Sequence, residues 1–152
     1  MSYVLIDTNV LLRSASPNHP QHQQALIAQT VLYSRGEQPC LVTQTLIEFR
    51  VVATRPVEVN GLGMSHTVAD TEIARLKALY SLFLDVPSIF AEWEHLVSYY
   101  GVAGKQNHDA RLVAAMNIHG ISSILTFNKS DFMRYSGITV WEPKDLLSLP
   151  SL

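Results

Sequence analysis

The chain has 152 residues, of which 47% are hydrophobic and 16% charged, and its formal net charge is −2 at pH 7. This length suits one domain of ordinary size and is too short for two, so we predict a single domain over residues 1–152. The apolar fraction excludes an intrinsically disordered chain. The slightly negative charge excludes the global basic field that dominates nonspecific nucleic-acid binding.

The cysteine count and the hydropathy exclude further classes of protein and of metal site. Cys40 is the only cysteine, which excludes an internal disulfide and any thiolate-cluster metal site. No apolar stretch approaches the roughly 20 residues that cross a bilayer, and no basic region precedes an apolar one at the start of the chain. We therefore expect a soluble, cytoplasmic protein with no membrane contact, in which oxygen or histidine ligands would hold any metal.

Five short apolar runs are typical of strands buried on both faces. The first ends directly at Asp7. The predicted strands are residues 3–6, 40–42, 82–86, 121–126 and 138–140. Between the strands, apolar residues recur at helical spacing. The predicted helices are residues 20–35, 43–54, 67–79, 87–100 and 108–119. A loop is predicted at residues 57–64 and a helical turn at 131–135. Thr43 is the expected N-cap of the second helix. Strands that alternate with helices predict an α/β fold with a parallel sheet.

Four acidic residues are predicted to lie at one edge of this sheet. In parallel sheets, ligands bind beyond the carboxyl ends of the strands, where the following helices begin. Asp7 follows the first strand, Glu48 lies early in the helix after the second, and Asp131 follows the fourth by a short loop. Asp109 lies at the start of the helix that leads into the fourth strand. Because such a crossover helix runs antiparallel to the strands, the N-terminus of this helix faces the same edge. We therefore expect four carboxylates from distant segments to meet there.

Each acid also has an ordinary structural interpretation when taken alone. Asp7 could be a helix N-cap, Glu48 a solvated helix residue, and Asp109 a first-turn acid that complements the helix dipole. Their joint placement favours a site, because like charges in one cleft raise each other's pKa unless a cation is present. Mg²⁺ or Mn²⁺ suits such oxygen ligands, and a bound divalent ion activates water for phosphodiester hydrolysis.

Four stretches together resemble a known family. They are residues 4–12 (Val-Leu-Ile-Asp-Thr-Asn-Val-Leu-Leu), Glu48, residues 108–111 (His-Asp-Ala-Arg) and residues 125–132 (Leu-Thr-Phe-Asn-Lys-Ser-Asp-Phe). The chain resembles a PIN domain over nearly its whole length, and most of all the VapC-type toxin ribonucleases. The resemblance implies a three-layer α/β/α fold with a central five-stranded parallel sheet, a Mg²⁺ or Mn²⁺ site, and endonucleolytic cleavage of RNA.

The resemblance also implies roles for individual residues. Asp7, Glu48 and Asp109 match the first three family acids, each as metal ligand or water activator. At the fourth position many family members carry an acid where this chain has Asn128, and we favour Asp131 as the fourth catalytic and metal-binding acid, with Asn128 as a possible polar contact. Three further residues match positions that line the pocket, namely Thr8, Asn9 and Thr126.

The RNA would be steered by local cations. The candidates near the acid-bearing segments are Arg13, Arg50, Arg111, Lys129 and Arg134. The aromatic group Trp93, Tyr99 and Tyr100 is interpreted as core or subunit contact rather than as a base-stacking platform.

The leading hypothesis is the toxin of a type II toxin–antitoxin pair, restrained by a VapB-like antitoxin protein and acting as a homodimer. Two alternatives remain open. One is a PIN-fold RNA-processing nuclease outside a toxin–antitoxin system, and the other is a PIN-fold binding module that does not cut.

Overall fold

Five parallel strands form the central layer of the protein. A computed structural model describes residues 2–149, so the outer limits of the predicted domain, at residues 1 and 150–152, lie outside the described residues. The strands in this range are β1 (Tyr3–Ile6), β2 (Gln38–Val42), β3 (Ser81–Phe83), β4 (Ser123–Leu125) and β5 (Thr139–Trp141). They pair in the order β3-β2-β1-β4-β5, all in parallel register. The predicted five-stranded parallel sheet is confirmed.

Helices cover both faces of the sheet. Within residues 2–149 they are α1 (Thr8–Ser14), α2 (His22–Ser34), α3 (Thr43–Thr54), α4 (His66–Leu79), α5 (Ser88–Tyr100), α6 (Gln106–His119) and α7 (Pro143–Leu147). Two 3₁₀ turns, Val57–Val59 and Lys129–Asp131, lie in connecting segments. Nowhere in this range is a helix long and apolar enough to cross a membrane.

Side chains of the strands alternate between two apolar clusters, one on each face of the sheet. Leu5 and Ile124 pack with α5 and α6, whereas Ile6 and Leu125 pack with α1, α2, α3 and α4. All four are fully buried. Strands buried on both faces read as continuous apolar runs, which explains why their positions follow from the sequence. The α/β/α layering predicted for the chain is confirmed.

The strand order reverses between β1 and β4. The chain adds β2 and β3 on one side of β1, and then returns to add β4 and β5 on the other side. In open parallel sheets the crevice beyond such a reversal is where ligands bind. Asp7 follows β1 directly and its amide donates to the Leu125 carbonyl at 3.0 Å, so the first predicted acid lies at this reversal.

Several predicted boundaries are wrong, for local reasons. Strand β3 ends at Phe83 rather than at residue 86, because its only partner β2 ends at Val42, opposite Phe83, and turns into α3. Thr43 is not the N-cap of α3. Val42 holds that position, and the Thr43 hydroxyl instead accepts a hydrogen bond from the Asp85 amide at 3.0 Å.

Two short helices were not predicted, and one helical turn lies earlier than expected. Helices α1 and α7 have 7 and 5 residues, which is too short for a helical periodicity to show in the sequence. The 3₁₀ turn spans Lys129–Asp131 instead of residues 131–135.

Candidate active site

Asp7 is the buried centre of the candidate site. It is only 8% exposed and is the N-cap of α1, where its Oδ1 accepts from the Thr8 amide at 2.7 Å. Burial raises the pKa of Asp7 to about 6, and the nearby carboxylates of Glu48 and Asp131 add to the rise, while the hydrogen bonds from Thr126 and from the Thr8 amide oppose it. The capping role and the role in the acidic cluster are therefore combined in one side chain.

Thr126 and Asn9 fix the second carboxylate oxygen of Asp7. The Thr126 hydroxyl donates to Asp7 Oδ2 at 2.7 Å, and Asn9 Nδ2 reaches the same oxygen at 3.3 Å and Thr126 Oγ1 at 3.2 Å. Asn9 Oδ1 also accepts from the Phe127 amide at 3.1 Å. The ends of β1 and β4 are thus joined by side chains that orient the carboxylate, and the role of Asn9 and Thr126 in lining a pocket stays a prediction.

Glu48 is held from two sides. The Thr8 hydroxyl donates to its Oε2 at 3.3 Å, and Gln44 Nε2 donates to its Oε1 at 2.5 Å. Gln44 lies one helical turn before Glu48 on α3, so the two side chains share a face. The Glu48 carboxylate is consequently oriented toward the start of α1, next to Asp7.

Gln44 and Asp85 belong to the site and were missed by the sequence analysis. Gln44 is buried, and besides Glu48 it contacts the His108 carbonyl at 2.8 Å and accepts from Arg111 Nη1 at 2.9 Å. Arg111 Nη2 also pairs with Asp85 Oδ2 at 2.8 Å. The position of Gln44, four residues before a candidate catalytic acid on one helix, is the signal that could have identified it.

Asp109 is the second acid whose pKa is strongly raised. Burial raises the pKa of Asp109 to about 7, and the charges of Asp131, Asp7 and Glu48 each raise it further, whereas Arg134 opposes the rise. The pKa of Asp7 responds to Glu48 and Asp131 in the same way. The structure therefore brings all four predicted acids into one electrostatic neighbourhood.

The donor set suits a hard divalent cation. Four carboxylates meet without compensating cations of equal number, and an ion among them would relieve the repulsion that raises the pKa of Asp7 and Asp109. Within residues 2–149, no three His, Cys, Asp or Glu side chains are close enough to enclose an ion by themselves. Mg²⁺ keeps several waters and binds through only a few carboxylates, so the residues present fit a partly hydrated ion.

Asn128 and Asp131 occupy different places. The Asn128 amide donates to Thr126 Oγ1 at 3.0 Å, so this residue supports the hydroxyl that orients Asp7. The Asp131 charge acts on both Asp7 and Asp109. Its charge supports Asp131 as the fourth acid, and its catalytic role stays a prediction.

The predicted RNA-contact cations divide into two groups. Arg134 acts on Asp109 and donates to Gln106 Oε1 at 2.5 Å, and Arg111 reaches Glu48 through Gln44. The other three pair with residues outside the acidic cluster: Arg13 with Gln21, Arg50 with Asp70, and Lys129 with Asp145. Arg50 lines an apolar groove between α3 and α4, because two residues along a helix place it about 200° from Glu48. Contact with RNA stays a prediction for all five.

Comparison by sequence gives no relative. No protein-family model matches the chain. No curated protein matches it either.

Comparison by structure gives similar proteins, and the three described below have low sequence identity to this chain. VapBC2 from Rickettsia felis, solved bound to a promoter DNA fragment, has a TM-score of 0.66 at 11% identity, over 93% of this chain and 98% of that one. A toxin–antitoxin complex from Klebsiella pneumoniae has a TM-score of 0.61 at 21% identity, over 92% and 97%. VapC20 from Mycobacterium tuberculosis, a toxin that cleaves the sarcin–ricin loop, has a TM-score of 0.58 at 18% identity, over 80% and 86%.

Proposed function

We propose that this chain, which has the PIN-domain fold of VapC-type toxins, is a metal-dependent endoribonuclease. It hydrolyses phosphodiester bonds in RNA and is the toxin of a type II toxin–antitoxin pair. The observation that carries the proposal is the electrostatic coupling of Asp7, Glu48, Asp109 and Asp131, which come from four separate segments. Burial is the main cause of the raised pKa of Asp7 and of Asp109, and the charges of the other acids add to both.

Asp7 caps α1, but bringing its charge close to those of three other acids has no structural benefit. Buried like charges destabilise a fold, and their occurrence in a cleft favours a functional explanation. Asp7, Glu48 and Asp109 would hold a partly hydrated Mg²⁺ or Mn²⁺, each either directly or through one of the ion's water ligands, with Asp131 as the fourth acid. A divalent ion bound there supplies an activated water and neutralises charge that develops on the phosphate.

The surrounding residues orient the acids. Thr126 and Asn9 fix Asp7, and Thr8 and Gln44 fix Glu48. This matters because carboxylates held in one geometry need little reorganisation during the reaction. A bound ion would lower the pKa of Asp109 from its metal-free value of about 7, so that Asp109 would be ionised at neutral pH and could accept a proton from the attacking water.

Cations near the acids attract the RNA backbone. Arg134 acts directly on Asp109, and Arg111 is connected to Glu48 through Gln44. Guanidinium groups bind phosphate oxygens in a two-pronged geometry. In a chain of net charge −2, these local charges are what steers RNA toward the acids.

The proposal includes two protein partners. A VapB-like antitoxin restrains the nuclease, and the active form is a homodimer. Structurally similar proteins that were solved as toxin–antitoxin complexes support the first of these. Co-expression with a short reading frame next to the gene, followed by purification of the complex and an RNA cleavage assay, tests whether that frame encodes the antitoxin.

The central experiment is RNA cleavage in Mn²⁺ by the unaltered chain and by Asp7→Asn and Asp109→Asn variants. Both variants are expected to lose cleavage while keeping the same circular dichroism spectrum. Glu94→Gln is the matched control, because Glu94 is an exposed acid on α5 and its neutralisation should leave cleavage unchanged. Metal-dependent cleavage retained in both aspartate variants would overturn the mechanism.

Calorimetry separates the enzyme from a binding module that shares the fold. Mn²⁺ titrated into the unaltered chain should give a binding heat that weakens in Asp7→Asn. No binding heat in the unaltered chain, together with RNA binding that needs no metal, would favour the binding module.

A further inference from the structure

A cavity beside the acidic cluster is not used by the proposed chemistry. It has a volume of about 300 Å³ and lies between the end of β3, the first turns of α5 and the side of α6. It is lined by Asp85, Val86, Ile89, Phe90, Trp93 and Arg111. Its walls therefore combine aromatic and aliphatic surface with one carboxylate and one guanidinium.

The aromatic wall is unusual for a surface. Phe90 is 63% exposed, and its ring lies 5.7 Å from that of Trp93, centroid to centroid, with 31° between their planes. The Trp93 ring is held in place, because its Nε1 donates to the Asn107 carbonyl at 2.9 Å, two residues before Asp109. The wall thus consists of a Trp93 ring held by a hydrogen bond and a largely exposed Phe90 ring beside it.

The polar end of the cavity is tied to the acidic cluster. Arg111 pairs with Asp85 at 2.8 Å and donates to Gln44 at 2.9 Å, and Gln44 donates to Glu48 at 2.5 Å. One wall of the cavity therefore lies two hydrogen bonds from a candidate catalytic acid. A ligand in the cavity that contacts Arg111 is therefore connected to the acidic cluster through Gln44.

From this arrangement we propose that the cavity binds one unpaired nucleobase of the RNA, next to the scissile phosphate, and sets the sequence preference of cleavage. The inference rests on the proposed ribonuclease function. A base presents flat faces that stack on aromatic rings, and an edge with hydrogen-bond donors and acceptors. Phe90 and Trp93 match the faces, while Arg111 donates and Asp85 accepts at the edge.

A protein partner fits the cavity less well. Phe, Trp and Arg are common at the centre of a protein interface, but Asp is depleted there, whereas here the Asp85 carboxylate lines the cavity itself. Arg111 is also connected to Glu48 through Gln44, so a ligand bound in the cavity would affect the position of a candidate catalytic acid. Such an effect is expected for a substrate more than for a protein partner. The aromatic group predicted from sequence omitted Phe90, which the structure shows to be the exposed member of the pair.

The test is sequencing of the cut ends after a randomised single-stranded RNA is digested in Mn²⁺. Three proteins are compared: the unaltered chain, Phe90→Ala and Tyr99→Ala. Tyr99 is an exposed aromatic residue on the same helix, nine residues further on and on the opposite face. Both side chains are largely exposed, so both variants should fold, as thermal unfolding verifies.

The expected result is a base preference at one fixed position beside the cut. It should appear in the unaltered chain and in Tyr99→Ala, and disappear in Phe90→Ala, whose KM for RNA should rise about tenfold with a smaller change in kcat. Cleavage with an unaltered preference in Phe90→Ala would overturn this inference and leave the ribonuclease function standing. The same holds if Phe90→Ala changes only the oligomeric state, which would assign the aromatic wall to a second copy of the chain. If the unaltered chain does not cut RNA at all, the proposed function fails, and the inference fails with it.

Discussion

At the level of single residues, Asp7 caps α1 with one carboxylate oxygen and accepts from Thr126 and Asn9 with the other. An alanine at this position would therefore remove a helix cap, worth about 1 kcal/mol, as well as a charge. Asparagine keeps one oxygen that can cap α1, since Asn and Asp cap helices about equally well. Its amide nitrogen replaces the oxygen that accepts from Thr126 and Asn9, and removal of the buried charge offsets the loss of these two hydrogen bonds. The two roles of Asp7 can thus be separated by choosing the substitution.

We predict that Asp7→Asn loses at least about 100-fold in RNA cleavage rate and folds as stably as the unaltered chain at pH 7. The charge is lost while the cap is kept. Cleavage assays in Mn²⁺ and thermal unfolding measure the two effects, and Asp7→Ala should lose cleavage and also unfold at a lower temperature. If Asp7→Asn and Asp7→Ala are equally destabilised, the cap is not the structural contribution of this residue.

A second prediction at this scale concerns the fourth acid. Asp131 raises the pKa of both Asp7 and Asp109, while the Asn128 backbone supports Thr126. Asp131→Asn should therefore weaken Mn²⁺ binding and lower the cleavage rate by tenfold or more, whereas Asn128→Ala should retain most of both. Calorimetry and single-turnover cleavage provide the measurements. The reverse order of effects would assign the fourth position to Asn128.

At the level of elements, Gln44 joins α3 to α6. Its side-chain amide contacts Glu48 on its own helix, and the His108 carbonyl and Arg111 on α6. These two helices carry two of the four acids and lie on opposite faces of the sheet. The distance between Glu48 and Asp109 therefore depends on this one side chain as well as on the sheet.

We expect Gln44→Ala to lower kcat about tenfold or more, with the fold retained, because a small displacement of a catalytic group has a large effect on rate. Gln24→Ala is the control, since Gln24 is exposed on α2. Steady-state cleavage and thermal unfolding report on the two effects. An unchanged kcat in Gln44→Ala would show that the sheet alone fixes the position of Glu48.

The helices and strands also show which structural features local sequence patterns can predict. The strands and the longer helices were predicted within a few residues, because an apolar run or a helical spacing is visible in a single segment. Helix α1 was not, since Val10, Leu11 and Leu12 are consecutive and show no spacing. The end of β3 was missed because it depends on where β2 ends, and this information lies in another part of the chain.

At the level of the whole molecule, the net charge is only −2, although four acids lie in one electrostatic neighbourhood. The pKa of Asp7 is about 6 and that of Asp109 about 7, both above the usual value of 3.8. Between about pH 4 and 7 the folded chain thus binds more protons than the unfolded chain. The free energy of unfolding must then fall as the pH rises through this window, and for Asp7 alone the loss is on the order of 3 kcal/mol.

We therefore predict that the metal-free chain melts at a higher temperature at pH 5.5 than at pH 7.5. Asp7→Asn should reduce this dependence, because the neutral amide cannot ionise. Mn²⁺ at pH 7.5 should raise the melting temperature of the unaltered chain, since an ion that binds the folded state stabilises it. Thermal unfolding across this pH range is the measurement, and greater stability of the metal-free chain at pH 7.5 would contradict the prediction.

The sequence by itself determined the layered α/β architecture and the segments that carry Asp7, Glu48, Asp109 and Asp131, because burial on both faces of a parallel sheet and the position of a residue at a strand end are local properties. Only the tertiary structure decided how Gln44 connects Glu48 to α6, and how Asp85 and Phe90 come to line one cavity with Arg111, since these contacts join segments far apart in the chain. Hydrogen-bond partners and shared cavities depend on how helices pack across the sheet, and no single segment encodes that packing.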